Sequence, residues 1–379
     1  MSAAHRRSGA ALVLLLWVTA CAVPPRPAPG IGPAVAWSKV RGWNQDHQAR
    51  AWPALLAECP RLMNHAAWAP VCTAALAQPH PTSVQVRSFF EQWFVPRRVY
   101  NTEGRRAGLM TAYFEPLVAG RLQRSARFRY PLYRRPAGLL HIDLGTLYPA
   151  LAGQRVRGRL TRDQRVLPYY SRAQILQRHL LAGDEIVWLD NPVTAFLMQV
   201  QGSGVIRLHD GRLMALRYAD QNGYPYRPML QCFAQEHVSP PSSLDLASLK
   251  RWLNAHPRRG LRVLDCNPSF VFFRLSAAVG PPRGALDVPL LARRSVAVDR
   301  RYIALGLPLW LEGRGAHPIA RLVLAQDVGG AIKGPTRVDW FLGRGRLAGE
   351  AAGQIKDPDR LLVLTPRLSV RRPSSSGSR

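Results

Sequence analysis

Acidic side chains are scarce in this chain: 23 Asp and Glu stand against 52 Lys and Arg in 379 residues. Where the few acids fall is therefore informative, and three aspartates of the last third sit in strand-turn contexts. Asp299 closes Val296-Ala-Val-Asp299 and precedes Arg-Arg-Tyr302; Asp327 leads into Val-Gly329-Gly330-Ala-Ile-Lys333-Gly; Asp339 stands in Val338-Asp339-Trp340-Phe341. A carboxyl with apolar groups on both sides loses hydration, which favours the protonated form that a general acid needs at neutral pH. That makes Asp339 the candidate proton donor. Asp327 precedes two glycines, where the backbone can turn sharply and present N–H groups. Lys333, one of only four lysines, lies in a Gly-flanked loop between the two aspartates. The same residues also suit plain turn and strand-end roles, since aspartate beside glycine is a common turn former. Gln201-Gly-Ser203-Gly204 lacks the G-x-S-x-G frame of a nucleophile elbow, so Ser203 reads as a turn or groove residue. No cysteines or histidines fall at metal-ligand spacing and there is no Gly-rich phosphate loop, so neither metal nor cofactor is expected.

The elements that must position these residues change character along the chain. From about 37 to 100 the pattern is helical, and Ser83 to Phe94 places Val86, Phe89, Phe90 and Phe94 near helical spacing, with Pro96 as a stop. Beyond Leu109, short β-branched and aromatic runs are bounded by Gly, Pro and Asp, which predicts strands. His209-Asp210-Gly211-Arg212 predicts a hairpin turn, and 244–255 and 345–356 are the helix candidates of this region. The expected fold is mainly β with N-terminal helices. Trp188, Trp310 and Trp340 suit either sugar stacking or core packing.

Residues 1–20 read as a secretory signal, with His5, Arg6 and Arg7 before the apolar run Ala10 to Val18. Val18-Thr19-Ala20-Cys21 resembles a bacterial lipobox, which would make Cys21 the lipidated first residue of the mature chain. Ala22 is not the aspartate that retains such proteins at the inner membrane, so the expected location is the outer membrane, facing the periplasm. Residues 21–36 carry five prolines between 24 and 33 and predict an extended spacer; residues 369–379 predict a disordered tail. Cys59, Cys72, Cys232 and Cys266 remain. Sequence proximity favours Cys59 with Cys72 and Cys232 with Cys266, although other pairings or four free thiols are also open. The net charge of +29 suggests an anionic partner. The secretory signal argues against nucleic acid, and no second apolar run approaches the roughly 20 residues of a membrane span.

The stretch 293–343 closely resembles the three-aspartate (3D) domain, a double-psi β-barrel found in the membrane-bound lytic murein transglycosylase A family. Gly108-Leu-Met-Thr111-Ala-Tyr113-Phe114-Glu115-Pro116, Leu167-Pro-Tyr169-Tyr170-Ser171-Arg172, Gln201-Gly-Ser-Gly204, Tyr218-Ala-Asp220-Gln221-Asn222-Gly223 and Asn267-Pro-Ser-Phe270 resemble further motifs of that family, in order, over roughly 105–368. The resemblance implies a main domain of 37–115 and 223–368, with the 3D region at about 285–366. It also implies an inserted β-barrel-like domain at 116–222, facing the main domain across a groove. It implies cleavage of the MurNAc-β-1,4-GlcNAc bond of peptidoglycan without water, leaving a 1,6-anhydromuramoyl end, and glycan strands as the partner. Asp339 matches the family's catalytic aspartate and Asp327 would sit beside it. Tyr113, Glu115, Gln201, Ser203, Lys333 and Asp299 would bind substrate. Asp220 stands where glycine is usual and adds a charge near the expected groove. The alternative reading is a lipoprotein whose barrel grips peptidoglycan without cleaving it.

Overall fold

The computed structural model describes residues 26–152, 156–242, 244 and 246–367. The expected signal, Cys21 and the tail therefore lie outside the described residues. Six strands form the centre: β1 (Gly108–Glu115), β2 (Ser295–Val298), β3 (Pro308–Gly313), β4 (Ile319–Asp327), β5 (Arg337–Arg344) and β6 (Lys356–Pro366). Their hydrogen-bonded order is β6-β3-β4-β2-β5-β1, and β1 pairs back onto β6, so the ring closes. Closure leaves these strands without a free edge. β2 with β4 and β5 with β1 are parallel; the other pairs of the ring are antiparallel. Five of the strands come from the last third of the chain. The sixth, β1, arrives from nearly 180 residues earlier, and it carries Thr111 and Tyr113.

The N-terminal helices Trp52–Leu62, Ala69–Leu76 and Ser83–Trp93 cover the barrel. A capping box between Thr82 and Gln85 starts the third, and the chain turns extended at Phe94, before Pro96. Cys59 and Cys72 are disulfide-bonded across the first two. Trp52, Leu55, Phe90 and Phe94 share one core with Leu309, Trp310, Leu324 and Trp340. Trp310 is fully buried, meets Trp43 edge-on at 5.1 Å between ring centroids, and donates to the Arg41 carbonyl at 3.1 Å. Trp310 and Trp340 are thus core residues, while Trp188 is partly exposed on the strand Glu185–Leu189.

A second sheet joins Leu117–Ala119, Gly204–Arg207, Leu213–Gln221 and Val271–Ser276. The expected hairpin at 209–212 connects its middle strands, with Gly211 at φ +83°. The outer strand, Val271–Ser276, lies beyond the residue-222 boundary read from sequence, because its pairing with Leu213–Gln221 spans a long connection that no local signal marks. Helices in this part are also more numerous than periodicity suggested. Pro192–Gln201 is a helix with Asn191 as N-cap, Pro192 in its first turn and Gly202 in the left-handed conformation at its end. Those capping residues were the available signal. Met229–Gln235, Leu246–Ala255 and Pro257–Asp265 follow, with Cys232 bonded to Cys266.

Trp310→Ala removes the ring on which helices and barrel meet. Its expected cost is about 3–5 kcal/mol, to be measured as a lower midpoint in urea unfolding.

Candidate active site

Alternation along β5 puts Val338 and Trp340 into the core and turns Asp339 the other way. Cross-strand register then fixes its neighbours. Ala297 of β2 lies opposite Asp339 on one side and opposite Asp327 on the other. The two aspartates are therefore level, one strand to either side of Ala297. On the far side of β5, Thr111 lies opposite Asp339 and Tyr113 opposite Phe341, with the Tyr113 and Phe341 rings 5.2 Å apart.

The two carboxyls are held differently. Asp327 Oδ1 accepts from the backbone N–H groups of Ala285 (3.0 Å) and Val328 (2.9 Å), and Oδ2 accepts from the Tyr113 hydroxyl at 2.9 Å. Three donors converge on it, the arrangement of an ionised, anchored group. Burial pushes it up to about 6; those three donors pull it down, and the Asp339 charge adds a further upward push. Tyr113 is pushed well above its ordinary value by burial first and then by Asp327, so its hydroxyl stays protonated and donating. Asp339 Oδ1 accepts from the Thr111 hydroxyl, while Oδ2 makes no hydrogen bond among the described residues. Burial raises Asp339 above the usual carboxylate value, with Thr111 and the Arg337 guanidinium pulling it back. One oxygen is held and one is open, which is the geometry for exchanging a proton with a ligand.

The other expected residues divide. Gln201, at the end of its helix, accepts from the Phe114 backbone N–H at 3.1 Å and so ties the second sheet's helix to β1 beside Tyr113. Ser203 follows, partly exposed. Glu115 is fully buried, with Arg217 at 2.8 Å and Arg344 at 2.5 Å on its two oxygens. Both its oxygens are engaged, so its visible role is to lock β1 to β5 and to Leu213–Gln221. Asp299 is also buried; it accepts from Arg301 and from the Gly334 backbone N–H at 2.8 Å, which pins the loop after Lys333. Lys333 is exposed and lines a cleft of about 280 Å3 with Asn101, Gly108, Thr336 and Arg337, apart from the aspartates. Asp220 forms ion pairs with Arg135 (3.1 Å) and Arg157 (2.9 Å), so its added charge is compensated. Sequence reasoning passed over Thr111 and Arg337. Arg337 donates to Thr111 Oγ1 at 2.7 Å. Proximity to Asp339 in the chain was a signal for Arg337; Thr111 lay in a motif, but nothing local tied it to Asp339, because that relation is created by strand pairing.

A closed six-stranded double-psi barrel, with a second sheet tied to it beside two level aspartates, defines a 3D-domain protein carrying an insert. Family comparison agrees: residues 109–274 match the MltA specific insert domain and 294–365 the 3D domain. The crystal structure of MltA from Neisseria gonorrhoeae is similar, at 32% identity over 90% of this chain and 98% of that one, with a TM-score of 0.71. E. coli MltA with bound chitohexaose is similar at 25% identity over 90% and 95%, with a TM-score of 0.65. The membrane-bound lytic murein transglycosylase A of Escherichia coli K12 is 33% identical over 265 residues, 67% of this chain and 64% of that relative. The chain thus spans just under two thirds of that curated relative's length. It belongs to the membrane-bound lytic murein transglycosylase A family.

Truncating Glu115 would leave Arg217 and Arg344 facing each other without a counter-charge. Glu115→Ala is expected to lower stability by about 3–5 kcal/mol, read from chemical denaturation, whether or not glycan is present.

Proposed function

We propose that this chain is a lytic transglycosylase that cleaves the MurNAc-β-1,4-GlcNAc bond of peptidoglycan, with Asp339 as general acid and then general base. The observation that carries this reading is the contrast between the two carboxyls. A glycoside hydrolase commonly uses two working carboxyl groups, one as acid and one as nucleophile or base. Here Asp327 has its oxygens engaged by three donors and Asp339 alone has an open one. A single acid/base group suffices when the attacking nucleophile belongs to the substrate. Asp339 protonates the glycosidic oxygen as the C1–O bond breaks, then takes the proton of the muramic C6 hydroxyl as that oxygen bonds to C1. Water is not consumed, and the product ends in a 1,6-anhydro ring. The tethered hydroxyl supplies the proximity that a separate nucleophile would lack. Asp327, level with Asp339 and ionised above about 6, places negative charge where an oxocarbenium-like transition state develops positive charge.

The groove for glycan lies between the barrel and the second sheet, where Gln201 meets β1 beside Tyr113. The bound chitohexaose of the E. coli relative supports a glycan occupant. No helix among the described residues is long and apolar enough to cross a membrane. We place the protein on the outer membrane through Cys21, with the excess of arginine drawing it to the carboxylates of stem peptides and to anionic lipid.

Asp339→Asn is expected to abolish release of soluble muropeptides from purified sacculi. Mass spectrometry checks the wild-type product: reducing ends one water heavier than the anhydro form would identify a hydrolase. Activity should fall as pH rises through the raised pKa of Asp339, since the acid must be protonated. Thr111→Val deletes a donor that favours the carboxylate, so this limb should move to higher pH in the variant's pH–rate profile.

A further inference from the structure

A third carboxyl behind the site is buried without any hydrogen-bonding partner. Asp359 of β6 is 1% exposed and lies opposite Gly108 of β1 and Gly313 of β3. The carboxyl fills space that a side chain at Gly108 would need: a Cβ there would stand 1.9 Å from Asp359 Oδ1 and 2.1 Å from the Thr336 carbonyl oxygen. Neither Asp359 oxygen is hydrogen-bonded among the described residues. A charged carboxylate in that position is costly, and the neutral acid has the Thr336 carbonyl beside it as an acceptor.

Arg337 connects this carboxyl to Asp339. It lies opposite Leu109 of β1, next to the Gly108 that faces Asp359, and two residues before Asp339 on β5; its charge opposes the upward push of burial on both carboxyls. Its guanidinium also donates to Thr111 Oγ1 at 2.7 Å. Arginine cannot accept a hydrogen bond, so the single Thr111 proton must point away from it, toward Asp339 Oδ1. Two carboxyls thus share one cation. Other charged groups lie on the same and the adjoining strands. On the same strand, Asp357 accepts from the His317 backbone N–H and faces its ring nitrogen, and Arg360 stands opposite Glu312 of β3. From β4 and β1, Asp327 and Tyr113 are bonded to each other.

We propose that Asp359 is a positioning residue for the reaction, acting on Asp339 through Arg337 and Thr111. While Asp359 holds its proton, the whole charge of Arg337 is available to stabilise the Asp339 carboxylate. Once Asp359 ionises, it draws on the same cation, and Asp339 keeps its proton to higher pH. Burial pushes Asp359 up to about 8, with Arg337 opposing, so the change falls on the alkaline side of neutrality. This inference rests on Asp339 being the general acid.

Infrared spectroscopy of the intact folded chain tests the link without turnover. In the difference spectrum between wild type and Asp359→Asn, where the equally buried Glu58 cancels, a protonated-carboxyl stretch should be present at neutral pH and titrate near 8. Linkage is reciprocal, so Asp339→Asn, which removes the competitor for Arg337, should move the midpoint of that band to lower pH. An unmoved midpoint overturns the proposal, as does a component titrating near 8 that persists in Asp359→Asn. In the pH–rate profile, the ratio of activity above pH 8 to that at pH 6 should fall by a factor of ~3–10 in Asp359→Asn, equivalent to roughly half to one pK unit at Asp339. A profile superimposable on the wild type also overturns it. If Asp339→Asn still released anhydro products, the assignment of Asp339 as general acid would fail instead, and the infrared result would stand independently of it.

Discussion

The parallel pairing of Gly108–Glu115 with Arg337–Arg344 is the constraint on which the site depends. It closes the barrel, and in the same step it brings Thr111 to the carboxyl of Asp339 and Tyr113 to that of Asp327. Without that strand, β5 would be an open sheet edge with Asp339 on it, and Asp327 would lose the Tyr113 hydroxyl. With it, both carboxyls are desolvated and supplied with chosen donors, and burial raises both above the usual carboxylate value. The strand is itself secured by Glu115, whose buried carboxylate holds arginines from both β5 and the second sheet. The insertion between β1 and β2 can therefore be long without loosening the centre.

Carboxylates in this molecule work as clamps more often than as reagents. Asp46 grips Arg294 at both oxygens, with contacts of 2.7 and 2.9 Å, and also accepts from the Leu322 backbone, which fastens the N-terminal segment to β4. Asp220 takes two arginines, Asp299 takes Arg301 and a backbone N–H, and Asp357 takes backbone N–H groups of the loop before β4. In a chain with so many guanidinium groups, a buried acid readily finds a partner, and its charge is spent on architecture. Asp339 and Asp359 in the barrel depart from this, as does Glu58 under the helices. Each keeps oxygen lone pairs out of such pairs, and each is raised by burial.

Much of this was legible along the chain. Strand runs after Leu109, the Ser83–Trp93 helix and the turn at 209–212 are local matters of periodicity and turn chemistry, and so they could be read directly. The apolar flanks of Asp339 and its motif marked it as a candidate; its raised proton affinity follows from burial in the barrel. Glu115 and Asp299 were expected at the ligand because they lie in or near motifs; motif membership does not distinguish a residue that touches substrate from one that holds the residue that does. The helix Pro192–Gln201 was passed over because Gly202 was read as part of a motif and Asn191-Pro192 was not read as a helix start.

What the sequence determined by itself was the inventory: three aspartates in strand-turn contexts, strand-forming runs at regular spacing, cysteines for two disulfides, and a strongly cationic surface. Those follow from residue types and near-neighbour spacing. Only the tertiary structure decided which carboxyl is free. That choice depends on strand register across separations of some 200 residues, where Thr111 meets Asp339, Tyr113 meets Asp327 and Gly108 leaves room for Asp359. A carboxyl's proton affinity is set by the donors, charges and burial around it, and here those come from distant parts of the chain.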